Sequence, residues 1–128
     1  METPAVTTMH IGELAEKSSL SLRTIRHYDE VGLLKPSGRT EGGFRLYTHE
    51  DLTRLLLIRR MKPLGFTLEE MTDLLQVIAT LQSGVPGSDN PMVRRELDQF
   101  IQQAIERRAK LEDYLTRADE LLDLLKSQ

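Results

Sequence analysis

Histidines with acidic neighbours are the first residues whose types and spacing could support chemistry. His10 precedes Glu13 by three residues and His27 precedes Glu30 by three, which places each pair on one helical turn. Each pair offers two ligands at most, whereas zinc sites use three or four protein ligands. The sequence has no cysteine, which excludes thiolate metal sites, disulfides and cysteine nucleophiles. We therefore expect no metal and no cofactor.

Phosphate-binding glycine loops are missing as well. The sequence contains neither G-x-x-x-x-G-K-[ST] nor G-x-G-x-x-G. Glu69 and Glu70 fall in a predicted first helical turn, where acids complement the helix dipole. Asp119 and Glu120 suit a solvated helix face. We therefore do not expect an enzyme.

Residues 23–28 combine basic and aromatic side chains that suit nucleic-acid recognition. Arg23 and Arg26 lie three residues apart near the start of a predicted helix. The same stretch includes Thr24, His27 and Tyr28. Arginine donates to guanine acceptors and to phosphates when such a helix lies in the major groove. The structural alternative is a surface helix that carries a few arginines without a ligand.

A second group of candidate DNA contacts surrounds a Gly-Gly dipeptide. Arg39 lies before it, and Arg45 and Tyr47 lie after it. A charged hairpin with a tip of small residues can reach along a phosphate backbone. These three residues are therefore candidate backbone contacts.

A third basic cluster, Arg59, Arg60 and Lys62, ends a later predicted helix. Interaction with the helix dipole could account for at least one of these residues, and we take Arg60 and Lys62 as the candidate DNA contacts.

Residues 17–62 hold ten lysines and arginines against five acids, a local charge of +5 in a chain of net charge −3. Because a local field matters more to a polyanion than the total charge does, double-stranded DNA is the predicted partner.

The elements that must position these residues are predicted from capping and turn signals. Short helices over 11–16 and 22–30, the second capped by Ser21 and ended at Gly32, predict a helix-turn-helix. The Gly42-Gly43 turn between extended segments predicts a hairpin, or wing. The residues expected in the core are Leu14, Leu22, Ile25, Leu33 and Leu34.

Capping patterns also predict the start of three later helices. Thr48 with Asp51, and Thr67 with Glu70, match a hydroxyl cap followed three residues later by an acid. Asn90-Pro91 combines a good cap with proline at the first helical position. From there a helix can continue without interruption to about Lys126.

This last helix carries apolar residues at seven-residue intervals, which is typical of a coiled coil. Roughly 35 residues at ~1.5 Å each make a rod of about 50 Å, which is too long for the preceding module to cover. The chain offers no comparable second helix, so we predict a homodimer. Alternating alanine and leucine favours antiparallel pairing. The predicted dimerisation residues are Leu97, Phe100, Ala104, Leu111, Tyr114, Leu115, Ala118, Leu121, Leu122 and Leu125.

The chain of 128 residues is accordingly predicted to be mainly α. We divide it into a winged helix-turn-helix DNA-binding domain at 9–80, a linker at 81–90 rich in Gly, Pro and Ser, and a coiled-coil dimerisation helix at 91–126. No apolar run approaches the ~20 residues of a membrane span. The N-terminus lacks the basic and apolar regions of a signal peptide. A cytoplasmic protein is expected.

Several motifs, in order, resemble the MerR family of bacterial transcription regulators. They are IGELA at 11–15, SLRTIRHYDEVGLLKP at 21–36, GFRLY at 43–47 and LGFTLEEM at 64–71. The resemblance covers about residues 9–80, and the long terminal helix also suits the family. It implies a winged helix-turn-helix dimer joined by an antiparallel coiled coil. It also implies a palindromic promoter operator, which the dimer distorts so that RNA polymerase can engage both promoter elements.

The resemblance implies roles for individual residues as well. Arg23 and Arg26 would enter the major groove, and His27 with Tyr28 would contact bases or phosphates. Arg45 and Tyr47 would make wing contacts to the DNA backbone. Arg39 matches the family pattern more loosely, because the hairpin tip varies, and would add a further contact there.

The effector and the alternative function stay open at this point. Metal-sensing relatives use cysteines near the long helix, and drug-sensing relatives carry a large C-terminal domain. Here either a small pocket between the module and the coiled coil binds a ligand, or there is no ligand. The alternative function is a coiled-coil adaptor for protein interactions whose helix-turn-helix does not bind DNA. An adaptor would not require basic groups on one face.

Overall fold

A computed structural model describes residues 7–87 and 90–128, so Ser88 and Asp89 of the predicted linker lie outside the described residues. One compact unit ends at Thr72, and a second runs from Asp73 to Gln128. No helix within the described ranges is long and apolar enough to cross a membrane. The elements in chain order are β1 (Thr8–His10), α1 (Ile11–Ser18), α2 (Leu22–Glu30), β2 (Gly38–Arg39), β3 (Arg45–Thr48), α3 (His49–Met61), a 3₁₀ turn (Lys62–Leu64), α4 (Leu68–Gln82) and α5 (Pro91–Lys126).

The predicted helix-turn-helix is present as α1 and α2. Ser19 ends α1 in the left-handed conformation, with φ of 59°. The Ser21 hydroxyl then accepts a hydrogen bond from the backbone N–H of Thr24 at 3.1 Å, which confirms the predicted cap of α2. The turn between α1 and α2 therefore depends on residues that are close together in the chain.

The end of α2 is fixed by a Schellman motif. Gly32 has φ of +78° and donates its backbone N–H to the carbonyl of Asp29 at 3.1 Å. Leu33 donates to the carbonyl of Tyr28 at 2.9 Å, and both of these side chains are buried. Together these bonds set the position of Asp29 and the exit direction of the chain from the helix.

The wing is confirmed, and a third strand extends it. β3 pairs with β2 on one side and with the N-terminal β1 on the other, both antiparallel, with Thr8 opposite Thr48. The hairpin closes through the backbone N–H of Thr40, which donates to the carbonyl of Phe44 at 2.9 Å. Gly43 has φ of +83°, so the predicted role of this glycine in the reversal is also confirmed.

The first turn of α3 is held by a buried carboxylate. Asp51 is 2% exposed and forms the predicted reciprocal capping box with Thr48, at 2.9 and 3.2 Å. Its oxygens also accept from the Ser37 hydroxyl at 2.5 Å and from Arg54 Nη1 at 3.2 Å. One side chain therefore joins the start of α3 to the segment that precedes the wing.

Replacement of Asp51 with alanine is expected to lower the free energy of unfolding by about 1–3 kcal/mol, since it removes a helix cap and the hydrogen bonds to Ser37 and Arg54. Urea denaturation followed by circular dichroism measures the change. Glu50→Ala is the matched control, because Glu50 lies in the same helical turn with an 83% exposed side chain. Equal losses in the two variants would contradict the assigned role of Asp51.

The core of the first unit gathers apolar side chains from α1, α2, α3, the sheet and the start of α4. Four of the five residues expected there are buried. Leu22 is exposed; it is the first residue of α2 and lies one turn before Ile25. The buried apolar residues of this unit are Met9, Leu14, Ile25, Tyr28, Leu33, Leu34, Tyr47, Leu52, Leu55, Ile58, Met61, Phe66 and Met71.

The second unit consists of the rest of α4 and the whole of α5. The side-chain oxygen of Asn90 accepts from the backbone N–H of Val93 at 3.0 Å, which confirms the predicted cap of α5. Val77 of α4 is buried, and Val93 and Phe100 line a depression beside it. No residue of α5 is fully buried, and every residue from Leu111 onward is exposed.

Candidate nucleic-acid interface

The structure brings six of the predicted DNA contacts to one surface depression of about 520 Å³. It is formed by α2 and by the first residue of the 3₁₀ turn that follows α3. Glu30 also lines it. The six predicted residues are Arg23, Thr24, Arg26, His27, Tyr28 and Lys62.

The basic groups of this depression are available to a ligand. Arg23, Arg26 and Lys62 are exposed, and none of them pairs with an acid within residues 7–87 and 90–128. Thr24 is only half-exposed, and its hydroxyl oxygen accepts from the Ser21 hydroxyl at 2.9 Å. The arginines and the lysine therefore supply the donors, while Thr24 belongs to the helix cap.

The two wing arginines are arranged differently from the sequence-based expectation. Arg45 Nε donates to Asp29 Oδ2 at 2.8 Å, and Arg39 Nη2 lies 3.5 Å from the same oxygen. Arg39 Nη1 also donates to the carbonyl of Gly43 at 3.0 Å. The hydrogen bond to Asp29 raises the pKa of Arg45 above its usual value. Both arginines of the wing thus contact an acidic residue of α2.

Two aromatic residues assigned to DNA contact are buried, which corrects the prediction for Tyr47. Tyr28 is 4% exposed and Tyr47 is fully buried. Burial raises the pKa of both phenols. The hydroxyl of Tyr47 has no hydrogen-bond partner among the described residues. Tyr47 therefore lies in the core, whereas Tyr28 packs inward and still lines the depression.

The basic cluster at the end of α3 divides into residues with different surroundings. Arg59 Nη1 donates to the carbonyl of Ser18 at 2.6 Å, so this arginine caps the C-terminal end of α1. Lys62 lines the depression on α2, as described above. Arg60 is exposed but does not line it, so the structure does not join Arg60 to the other basic groups.

The wing tip has an exposed aromatic residue that sequence analysis did not select. Phe44 is 69% exposed. Its ring lies over Gly42, where an added Cβ would approach the ring to 3.3 Å. The signal was present in the sequence as an aromatic residue directly after Gly-Gly. Asp29 was also missed, since an acid inside a basic motif gives no sign of a distant partner.

The predicted dimerisation residues divide along α5. Leu97, Phe100 and Ala104 are half-buried. From Leu111, which is 43% exposed, the predicted residues have nothing packed over them in the single chain. Most members have another member three, four or seven residues away, a spacing that places them on one helix face. The exposed residues on this face are Leu111, Tyr114, Leu115, Ala118, Leu121, Leu122 and Leu125.

Two family models match the chain. The family model described as "MerR HTH family regulatory protein" matches residues 9–78, and the model "MerR, DNA binding" matches residues 52–124. The mercuric resistance operon regulatory protein of Bacillus cereus is 38% identical over 118 residues, covering 92% of this chain and 83% of that protein.

Two solved structures extend the likeness to the fold. A MerR-family regulator from Bacillus cereus gives a TM-score of 0.67 at 31% identity, covering 94% of this chain and 79% of that one. HiNmlR, a MerR-family regulator that lacks the sensor domain and is bound to promoter DNA, gives a TM-score of 0.69 at 27% identity. The match covers 94% of this chain and 92% of HiNmlR.

Proposed function

Because the chain belongs to the MerR family of helix-turn-helix DNA-binding regulators, we propose that it binds a palindromic promoter operator as a homodimer and distorts the promoter. The observation that carries this proposal is the depression at α2, where Arg23, Arg26 and Lys62 are exposed and unpaired within the described residues. RNA polymerase is the partner that would meet the bound promoter.

We assign direct contact with base edges to α2. Arg23 and Arg26 project from its first turns, and arginine pairs with the O6 and N7 acceptors of guanine in a bidentate manner. His27 and Lys62 lie in the same depression and suit bases or phosphates nearby. This division gives sequence discrimination to the helix.

The wing is assigned to the DNA backbone. Arg39 and Arg45 lie opposite each other on β2 and β3 and are both directed by Asp29. Phosphate contacts of this kind set the register of a protein on the duplex without carrying sequence information. Arg60 stays a candidate backbone contact outside the depression.

The functional division proposed for the chain follows the same logic. Residues 9–80 would form the DNA-binding domain, 81–90 the linker, and 91–126 the dimerisation helix. The exposed apolar face of α5 from Leu111 onward supports dimerisation, because a soluble chain rarely leaves such a continuous stripe uncovered. Alanines at 104 and 118 allow the close approach expected of an antiparallel pair.

The experiment that tests the proposal is selection of bound fragments from genomic DNA with the purified protein. Recovery of an inverted repeat located in promoters is the expected result. Fragments without a shared inverted repeat would contradict the palindromic operator, and absence of any enriched DNA would contradict the function itself.

Binding to the selected fragment is expected to weaken steeply with salt. Each phosphate neutralised by lysine or arginine releases counterions, and the slope of log K against log salt is about −0.9 per contact. The +5 charge of residues 17–62 is doubled in a dimer, so several contacts contribute. Fluorescence anisotropy titrations from low to physiological salt measure the slope. A binding constant that does not change with salt would count against phosphate contact.

A further inference from the structure

Asp29 is an acid at the end of α2 that contacts the wing of the proposed DNA-binding surface. It is the penultimate residue of α2, and its side chain is 14% exposed. Its Oδ2 atom accepts from Arg45 Nε at 2.8 Å and lies 3.5 Å from Arg39 Nη2. One carboxylate oxygen thus meets both arginines of the wing.

Both sides of this bridge are fixed. On the helix side, the Schellman motif at Gly32 uses the carbonyl of Asp29 itself. On the wing side, Arg39 is tied to the carbonyl of Gly43, and the backbone of Thr40 is paired with that of Phe44. The carboxylate therefore links two segments that are each held by hydrogen bonds of their own.

The register of the sheet gives an independent reason for an acid at this position. Arg39 and Arg45 are directly opposite partners on β2 and β3. Like charges directly opposite each other on neighbouring strands are destabilising. The carboxylate of Asp29 compensates for this repulsion and lets two cations stand side by side on a narrow hairpin.

Asp29 is the only side-chain hydrogen-bond partner of Arg45 among the described residues. The planar guanidinium of Arg45 has five N–H donors, and Asp29 engages the one on Nε. Fixing Nε fixes the plane of the group, while the four N–H groups on Nη1 and Nη2 remain for a phosphate. Arg45 is then already oriented for bidentate contact with an anion.

We propose that Asp29 is a positioning residue that holds Arg39 and Arg45 in the orientation needed to contact DNA phosphates, and that it couples the wing to α2. This inference rests on the proposed DNA-binding function. It assigns a favourable role to an acid that simple electrostatics would treat as a source of repulsion next to a polyanion.

Simple electrostatics and positioning predict opposite changes in DNA affinity for Asp29→Ala. Electrostatics alone predicts tighter binding, because one negative charge per chain is removed. Positioning predicts weaker binding, and we expect a loss of at least fivefold in affinity for the selected DNA fragment at fixed salt. Glu16→Ala is the control for the loss of one negative charge, since Glu16 is exposed on α1, lies outside the depression and has no ion pair among residues 7–87 and 90–128. This control should bind as tightly as the unmodified protein or more tightly.

A variant without the two wing arginines separates positioning from a general structural effect of the Asp29 substitution. In a protein that already carries Arg39→Ala and Arg45→Ala, there is no guanidinium for Asp29 to orient. Asp29→Ala should therefore no longer weaken binding in this background, and should leave it unchanged or strengthen it. Circular dichroism confirms folding in each case, and the isosteric Asp29→Asn replaces Asp29→Ala if the alanine variant does not fold.

Each result decides between the explanations. Equal or tighter binding by Asp29→Ala, or the same loss with and without the wing arginines, would overturn the positioning role while DNA binding itself stands. If the unmodified protein binds no DNA in a salt-dependent manner, the proposed function fails first, and this inference fails with it.

Discussion

Replacing both Leu111 and Leu115 with aspartate is expected to convert the protein to a monomer and to weaken operator binding by about 10²–10⁴-fold. The two leucines lie on the exposed apolar face of α5. In a paired coiled coil, four aspartates per dimer would be buried without partners, at a cost of several kcal/mol. A monomer would then contact a single half-site and lose the second, linked contact.

Sedimentation velocity and DNA titration measure the two effects on the same samples. Leu124→Asp is the matched control, because Leu124 is equally apolar, is 64% exposed and lies on the same helix outside the predicted stripe. It should stay dimeric and bind DNA normally. If the unmodified protein is a monomer at micromolar concentration, the dimer proposal is wrong. If Leu124→Asp dissociates the dimer while the stripe variant does not, the proposed face is wrong.

Loss of Arg23 or Arg26 is expected to reduce discrimination between operator and random DNA by about tenfold or more. A bidentate contact between arginine and guanine contributes about 1–3 kcal/mol to base preference. Both arginines are exposed on α2 and unpaired within the described residues. Each alanine variant should therefore relax the preference at one base pair in each half-site.

Arg45→Ala serves as the comparison for these variants. Arg45 lies on the wing and is held by Asp29, so its partner is expected to be a phosphate. Its loss should weaken operator and random DNA alike and reduce the salt slope by about one per lost phosphate contact. Titration of each variant against both DNAs at fixed salt measures the ratio. Discrimination lost in Arg45→Ala but kept in Arg23→Ala and Arg26→Ala would reverse the roles of helix and wing.

The sequence by itself determined the parts of this protein whose partners are close in the chain. The caps at Ser21, Thr48 and Asn90 each join groups three residues apart, so the identity of those few residues was sufficient. The turn at Gly43 needs only a positive φ, which glycine adopts without steric cost. Helix boundaries and the hairpin were predictable for the same reason.

The family was predictable from the sequence for a related reason. Its motifs combine these local signals with an ordered series of apolar and basic positions. The geometry at α2 then followed, because Arg23 and Arg26 are separated by less than one helical turn and must share a face. No long-range contact was needed to place them together.

Only the tertiary structure decided the contacts that join distant segments. The bond from Arg59 to Ser18 spans 41 residues, and the one from Arg45 to Asp29 spans 16. Nothing in the local sequence distinguishes these arginines from those that face solvent, because a guanidinium bonds equally well to a phosphate, a carbonyl or a carboxylate. The choice depends on which acceptor the fold brings within reach.

Burial of the aromatic rings was decided in the same way. Tyr28 follows the basic residues of α2 and Tyr47 alternates with Arg45 on β3, so the sequence placed both beside DNA-binding groups. A tyrosine suits either a core or a polar surface, since it has a large apolar ring and one hydroxyl. Pairing of β1 with β3, and packing of that sheet with the helices, enclosed Tyr47, and only those long-range contacts determine which face of a short strand becomes the inside.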